Sequence, residues 1–233
     1  MAVFDALNKM EPEALAQCAE VLVSRLKDSD QRGAVLMLLH MMEPAVLAQC
    51  ADTVVLRLED SDEDVRWAAW CVLLRLEPAV LAQYVSAVVL RLEDSDADVR
   101  EAALSVLLRL QPAVLAQYAN AVVLRLEDSN EDVRESALKA LHTLEPAVLA
   151  QYANDVVLRL EDSYANMRWA ALNVLHKLEP AVLAQCANAV VLRLEDSYEN
   201  SRGAALEVLN RLEPAVLAQH ADAVVLRFED SSG

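Results

Sequence analysis

The sequence predicts an all-α fold, a right-handed α-solenoid of stacked two-helix repeats, and three observations predict it. The phrase PAVLAQ begins at Pro44 and returns every 34 residues, at Pro78, Pro112, Pro146, Pro180 and Pro214, with a near copy, PEALAQ, at Pro12. Periods of this size mark supersecondary units stacked side by side. Ala, Leu, Val, Glu and Arg dominate, with only three Gly and two Phe in 233 residues, a composition that favours helices over strands. Each repeat also carries two apolar stripes of helical period, and neither helix can bury its stripe alone.

The chain divides into a partial helix over 1–10, repeats at 11–42, 43–76, 77–110, 111–144, 145–178 and 179–212, and a half repeat over 213–233, read as a single solenoid domain. The first repeat is two residues shorter, and the deletion falls in DSDQR (28–32) set against DSDEDVR (60–66). The first helix of each repeat is typified by PAVLAQYANAVVLRLED (112–128). Proline at its first position is harmless, because that N–H has no partner in a helix. Leu115, Ala119, Val122, Val123 and Leu126 share one arc. The second helix is typified by DVRESALKALHTL (132–144), with Ser129 and Asp132 forming a Ser-x-x-Asp capping box at its start. The same pairing occurs as Ser61–Asp64 and Ser95–Asp98. Val133, Ser136, Ala137, Ala140, Leu141 and Leu144 share an arc of about 140°, and the following Glu-Pro ends the helix. The last first-helix, 214–228, has no successor. Its outer side is expected either to support end-to-end self-association or to be partly covered by Phe228 and the short tail.

Charge and composition exclude several function classes. The formal net charge is −17, which opposes nucleic acid and anionic membrane surfaces and favours a basic protein or peptide partner. No apolar run reaches the roughly 18 residues of a membrane span. The opening MAVFDALNKM lacks the pattern of a secretory signal, so the expected location is cytoplasmic. Cys18, Cys50, Cys71 and Cys186 contain no Cys-x-x-Cys pair and are expected to be free thiols. Tyr84, Tyr118 and Tyr152 share the repeat position of Cys18, Cys50, Cys186 and His220, where they are expected to pack at repeat junctions with their hydroxyls at the edge.

The pattern Leu-x-Asp, a short loop, then Val-Arg-x-Ala-Ala-x-x-x-Leu-x-x-Leu resembles the HEAT repeat in its short, HEAT-like form, over nearly the whole chain. The resemblance implies a ladder of loop aspartates and second-helix arginines between neighbouring repeats: Asp60, Asp94, Asp128, Asp162 and Asp196 with Arg66, Arg100, Arg134, Arg168 and Arg202. It also implies that the second helices line a concave surface. The near identity of the copies points to recent amplification or deliberate construction, and resembles artificial HEAT-like binding scaffolds.

The copies differ mainly in the second helix. After the arginine come Gly33, Trp67, Glu101, Glu135, Trp169 and Gly203. Four residues on come Met37, Cys71, Ser105, Lys139, Asn173 and Glu207. Three further come His40, Leu74, Leu108, His142, His176 and Asn210, followed by Met41, Arg75, Arg109, Thr143, Lys177 and Arg211. A further position holds Leu36, Trp70, Leu104, Leu138, Leu172 and Leu206. Offsets of three, four and seven place these residues on one face. Drift at solvent-facing sites favours small polar and charged residues. Trp67, Trp70, Leu74, Leu104 and Leu108 instead cluster in adjacent repeats, which points to a partner-binding groove anchored near Trp67 and Trp70.

Catalytic and metal chemistry find no support. The loop Asp60–Asp64 opens like a calcium loop, but Val65 and Cys71 stand where glycine and glutamate are required. His142 and His176 lie at equivalent positions of consecutive repeats, yet a zinc site needs three or four ligands and no third is near. No glycine-rich phosphate loop occurs. No cofactor is expected. One HEAT-like enzyme type holds iron with His-Glu pairs, and no His-Glu dipeptide occurs here. The chain is therefore expected to be a protein-binding scaffold and not an enzyme. The alternatives are a bilin lyase-like enzyme or accessory protein, which needs a pigment pocket, and a structural or designed array without a native ligand.

Overall fold

The structure, a computed structural model, describes residues 12–26, 32–222, 224 and 225. The partial helix over 1–10, most of the shortened loop at 28–32, and the tail with Phe228 lie outside the described residues. Among the described residues every regular element is helical. The chain packs as two compact units, Met1–Gln111 and Pro112–Gly233, each a stack of two-helix repeats and each described by itself.

In the first unit the second helices are Arg32–His40, Glu63–Leu73 and Ala97–Leu107. In the second they are Glu131–Thr143, Ala165–His176 and Glu199–Leu209. Successive second helices pack on one another within each unit, Arg32–His40 on Glu63–Leu73 and Ala165–His176 between Glu131–Thr143 and Glu199–Leu209.

The first helices start at the repeated proline, and one residue decides whether they run through. With cysteine at the seventh position the helix is continuous: Pro12–Arg25 around Cys18, Pro44–Val55 around Cys50, and Pro180–Val191 around Cys186. With tyrosine there, it breaks. Pro78–Leu81 and Val85–Leu90 flank Tyr84, and Pro146–Leu149 and Ala153–Leu158 flank a 3₁₀ turn ending at Tyr152. The tyrosines sit at φ near −110°, away from helical values (Tyr84 −109°, Tyr118 −115°, Tyr152 −112°). Aromatic side chains crowd the preceding helical turn. Here the ring also reaches the preceding repeat, where Tyr84 donates its hydroxyl hydrogen to Asp52 at 2.8 Å and Tyr152 donates to Asn120 at 2.9 Å.

The second helices are capped one residue later than the sequence suggests. Asp62 and Asn130 accept from two backbone N–H groups each, and Asp96 from one, so they take the cap position in place of Ser61, Ser129 and Ser95. The serines instead present their carbonyls to the second-helix arginine of the same repeat. Repeats five and six carry Tyr164 and Tyr198 at the cap and have no side-chain cap.

The arc Val133, Ser136, Ala137, Ala140, Leu141 and Leu144 is buried, as expected. The buried arc extends further, to Trp70, Leu104, Leu138 and Leu172. A helix stacked inside a repeat array is covered on both flanks as well as beneath, so its buried face exceeds the single stripe of an isolated amphipathic helix.

Candidate functional site: the second-helix face

Two side-chain systems hold this face in place. The first is the arginine–aspartate ladder. Five second-helix arginines donate from Nη1 to a carbonyl of their own loop: Arg66 to Asp60, Arg100 to Asp94, Arg134 to Asp128, Arg168 to Asp162 and Arg202 to Asp196. In the second unit the same guanidinium grips the next repeat's carboxylate in a forked pair. Arg134 reaches Asp162 at 3.0 and 3.3 Å, and Arg168 reaches Asp196 at 2.6 and 2.7 Å. In the first unit Arg32 pairs with Asp60 at 3.2 Å. The ladder therefore steps from the arginine of one repeat to the aspartate of the next. The aspartates also accept from the backbone N–H two residues on, which fixes the loop. Arg168 holds the Asp196 carboxyl below the usual carboxylate range, and Asp196 in turn holds the Arg168 guanidinium above its ordinary value.

A second ladder, which the sequence reading missed, runs along the first helices. Arg159 donates to the Leu126 carbonyl and Arg193 to the Leu160 carbonyl, both at 2.9 Å, and Arg91 pairs with Glu59 at 3.0 Å. The signal was the unvarying Leu-Arg-Leu-Glu-Asp string. Its first leucine is exposed in every complete copy: Leu56 and Leu90 in the first unit, and Leu124, Leu158 and Leu192 in the second.

In the first unit the structure leaves Trp67 58% exposed, with Cys71, Leu74, Glu101, Ser105 and Leu108 half-buried. Trp70, only 1% exposed, and Leu104 are interior residues. Their burial corrects the expectation that they offer exposed apolar surface in the groove. At 100° per residue Trp70 falls about 60° from Trp67, toward the stacked flank. A cleft of about 230 Å³ lies beside Trp67 and Trp70, lined also by Glu63, Asp64, Arg66, Asp96, Asp98 and Val99. Among the described residues, the indole Nε1 of Trp70 has no hydrogen-bond partner. His40 donates from Nδ1 to the Cys71 carbonyl at 2.9 Å, and Arg75 donates to the His40 carbonyl, so the helix ends are tied between repeats.

In the second unit Trp169, Lys139, His142 and His176 are exposed, Glu135 and Asn173 are half-buried, and Glu207 and Asn210 are exposed one repeat on. Glu135, Lys139, His142, Trp169, Asn173 and His176 converge on a cavity of about 660 Å³ with Leu138, Asn166, Ala170 and Val174. That volume lies within the range of small-ligand sites, roughly 300–1,000 Å³. Lys139 pairs with Glu135 at 2.8 Å. Partial desolvation of the imidazole at the cavity, then the neighbouring Lys177 charge, push the His142 pKa down, against a hydrogen bond to the Asn173 backbone. Lys177 itself caps the His142 and Leu144 carbonyls. Among the described residues no group of three or more metal-ligating side chains occurs. The thiols of Cys50, Cys71 and Cys186 are free, and burial pushes their pKa values up.

Comparison with known proteins defines the class. No family model matches the chain, and no curated protein matches it. Solved structures do. An engineered protein aligns with TM-score 0.68 at 16% identity, covering 91% of this chain and 63% of that one. A designed armadillo repeat protein in complex with the peptide (KR)4 aligns with TM-score 0.66 at 15% identity, covering 82% and 98%. A second engineered protein aligns with TM-score 0.64 at 13% identity, covering 88% and 97%. The chain is a helical-repeat solenoid protein. Among the described residues, no helix is long and apolar enough to cross a membrane.

Proposed function

We propose that the chain is a binding scaffold without catalytic activity that holds a basic peptide or protein segment along the faces of its second helices. The observation that carries this reading is Trp67, an exposed indole on an acidic cleft. Four carboxylates line that cleft against one guanidinium, Arg66, whose Nη1 is already committed to loop carbonyls. A lysine or arginine side chain lying there meets negative charge and an aromatic ring, which binds cations by its π-face. The net charge of −17 supports the same partner class. So does the peptide-bound armadillo neighbour, a protein of the same fold class. The Leu-x-Asp and Val-Arg pattern supports a HEAT-like subclass, and the 34-residue spacing, unbroken through Gln111 and Pro112, supports one continuous array. A cytoplasmic location fits the free thiols.

The test is titration of an octapeptide of alternating lysine and arginine against the protein and its Trp67→Ala variant. The reading expects saturable binding that weakens with added salt, and a loss of about tenfold or more on removing the indole, the scale of a binding hot spot. Equal affinity in the variant removes Trp67 as anchor and sinks the proposal. A second reading, a structural array with no native ligand, is favoured by the near identity of the copies, and absence of saturable binding supports it.

A further inference from the structure

The cavity at Trp169 has a chemistry opposite to the cleft at Trp67. Its walls are mostly apolar, from Trp169, Leu138 and Val174, and its volume of about 660 Å³ is ample for an aromatic side chain. Its rim carries lysine and histidine, two residue types that are scarce in a chain whose 20 Lys and Arg are mostly arginine. The sequence has four lysines, and the two beyond Lys27 are Lys139 and Lys177; two of its four histidines, His142 and His176, lie between them. Lys139, His142 and His176 line the cavity, and Lys177 stands beside His142. The only carboxylate among the lining residues, Glu135, is paired with Lys139, so these two charges offset each other and Lys177 supplies the surplus positive charge beside the rim. In a protein this acidic, a rim of such composition selects for a carboxylate, because it is complementary to a negative group where most of the surface repels one.

We propose that the cavity at Trp169 receives an aromatic side chain followed by a carboxylate, so that the second unit selects an aromatic–acidic element of the partner. This rests on the reading that the second-helix faces bind a partner. The ring packs on the Trp169 indole in an offset or edge-to-face arrangement. The adjoining carboxylate meets Lys139 and His176 at the rim.

The test uses the three indole N–H resonances of the protein in ¹⁵N-¹H spectra, with Trp169 assigned by Trp169→Phe. Two acetylated, amidated hexapeptides serve as probes, Gly-Ser-Phe-Glu-Gly-Ser and its Phe-Lys counterpart. The Phe-Glu peptide is expected to move the Trp169 signal and to bind at least about fivefold more tightly than the Phe-Lys peptide, the scale of a rim charge. Lys139→Gln, at an exposed position, is expected to erase most of that preference. Equal or tighter binding of the Phe-Lys peptide overturns the proposal, as does a preference that survives Lys139→Gln. If the Trp169 signal stays still while the lysine–arginine octapeptide still moves Trp67, this inference fails and the scaffold reading stands. If neither peptide moves any indole, both fall.

Discussion

Replacing Arg168 with methionine tests the ladder that aligns the repeats. The Arg168 side chain is 11% exposed and its partner carboxylate on Asp196 is 1% exposed. The substitution keeps the aliphatic stem but removes the forked pair at 2.6 and 2.7 Å and the bonds to the Asp162 and Ser163 carbonyls. Removing one partner of a buried ion pair typically costs about 3–5 kcal/mol, because the other charge is left buried. Asp196 keeps the Tyr198 backbone N–H at 2.9 Å and Arg193 at 3.9 Å. The loss is therefore expected near the lower bound, about 3 kcal/mol. In a repeat array it should fall on the interface between repeats five and six rather than on the whole chain. Native-state hydrogen exchange on both proteins reads it, as lost protection in Ala165–His176 and Glu199–Leu209 with Glu63–Leu73 unchanged. The pH dependence gives the sign. Arg168 lowers the Asp196 pKa, so the pair's contribution is present above the ordinary carboxylate range and is lost as the pH falls below it. The deficit of the variant should shrink in acid. A loss below about 1 kcal/mol at neutral pH would mean that the pair behaves like an exposed surface bridge and does not align the repeats.

Three further outcomes are expected. Trp70→Ala should cost about 3–5 kcal/mol in denaturant unfolding, as a large buried side chain does, whereas Trp67→Ala should leave stability within about 0.5 kcal/mol. Installing the missing cap of repeat six with Tyr198→Asn, copying Asn130, should gain roughly 0.5–1 kcal/mol by the same measure, less the lost bond from Asn200 to the Tyr198 hydroxyl. The lowered His142 pKa implies a contribution to stability that is present above the ordinary histidine value and lost as the pH falls below it. His142→Gln should flatten that part of the pH–stability curve.

The repeat length, the two helices and the buried arc of each second helix were legible in the sequence, because period and pattern record which residues meet the core. The interior places of Trp70 and Leu104 were not, because flanking repeats cover a helix from the side and one helix's pattern does not record its neighbours. The break in the first helices was legible only as a cysteine–tyrosine alternation. The bonds that accompany it, from the Tyr84 hydroxyl to Asp52 and the Tyr152 hydroxyl to Asn120 one repeat back, need coordinates. The direction of the ladder, from Arg168 forward to Asp196 rather than within a loop, is likewise a fact of stacking. The cavity at Trp169 gathers residues of two repeats, and sequence offsets suggested their shared face but not their convergence.

On the proposed function, partners bind the varied second-helix face and not the unvarying first-helix face with its exposed leucines. Amide shift mapping with the lysine–arginine octapeptide tests it most directly. Shifts are expected to centre on Trp67 and the starts of Glu63–Leu73 and Ala97–Leu107, with Leu56 and Leu90 unmoved. Shifts centred on Leu56 and Leu90, with Trp67 silent, would contradict it.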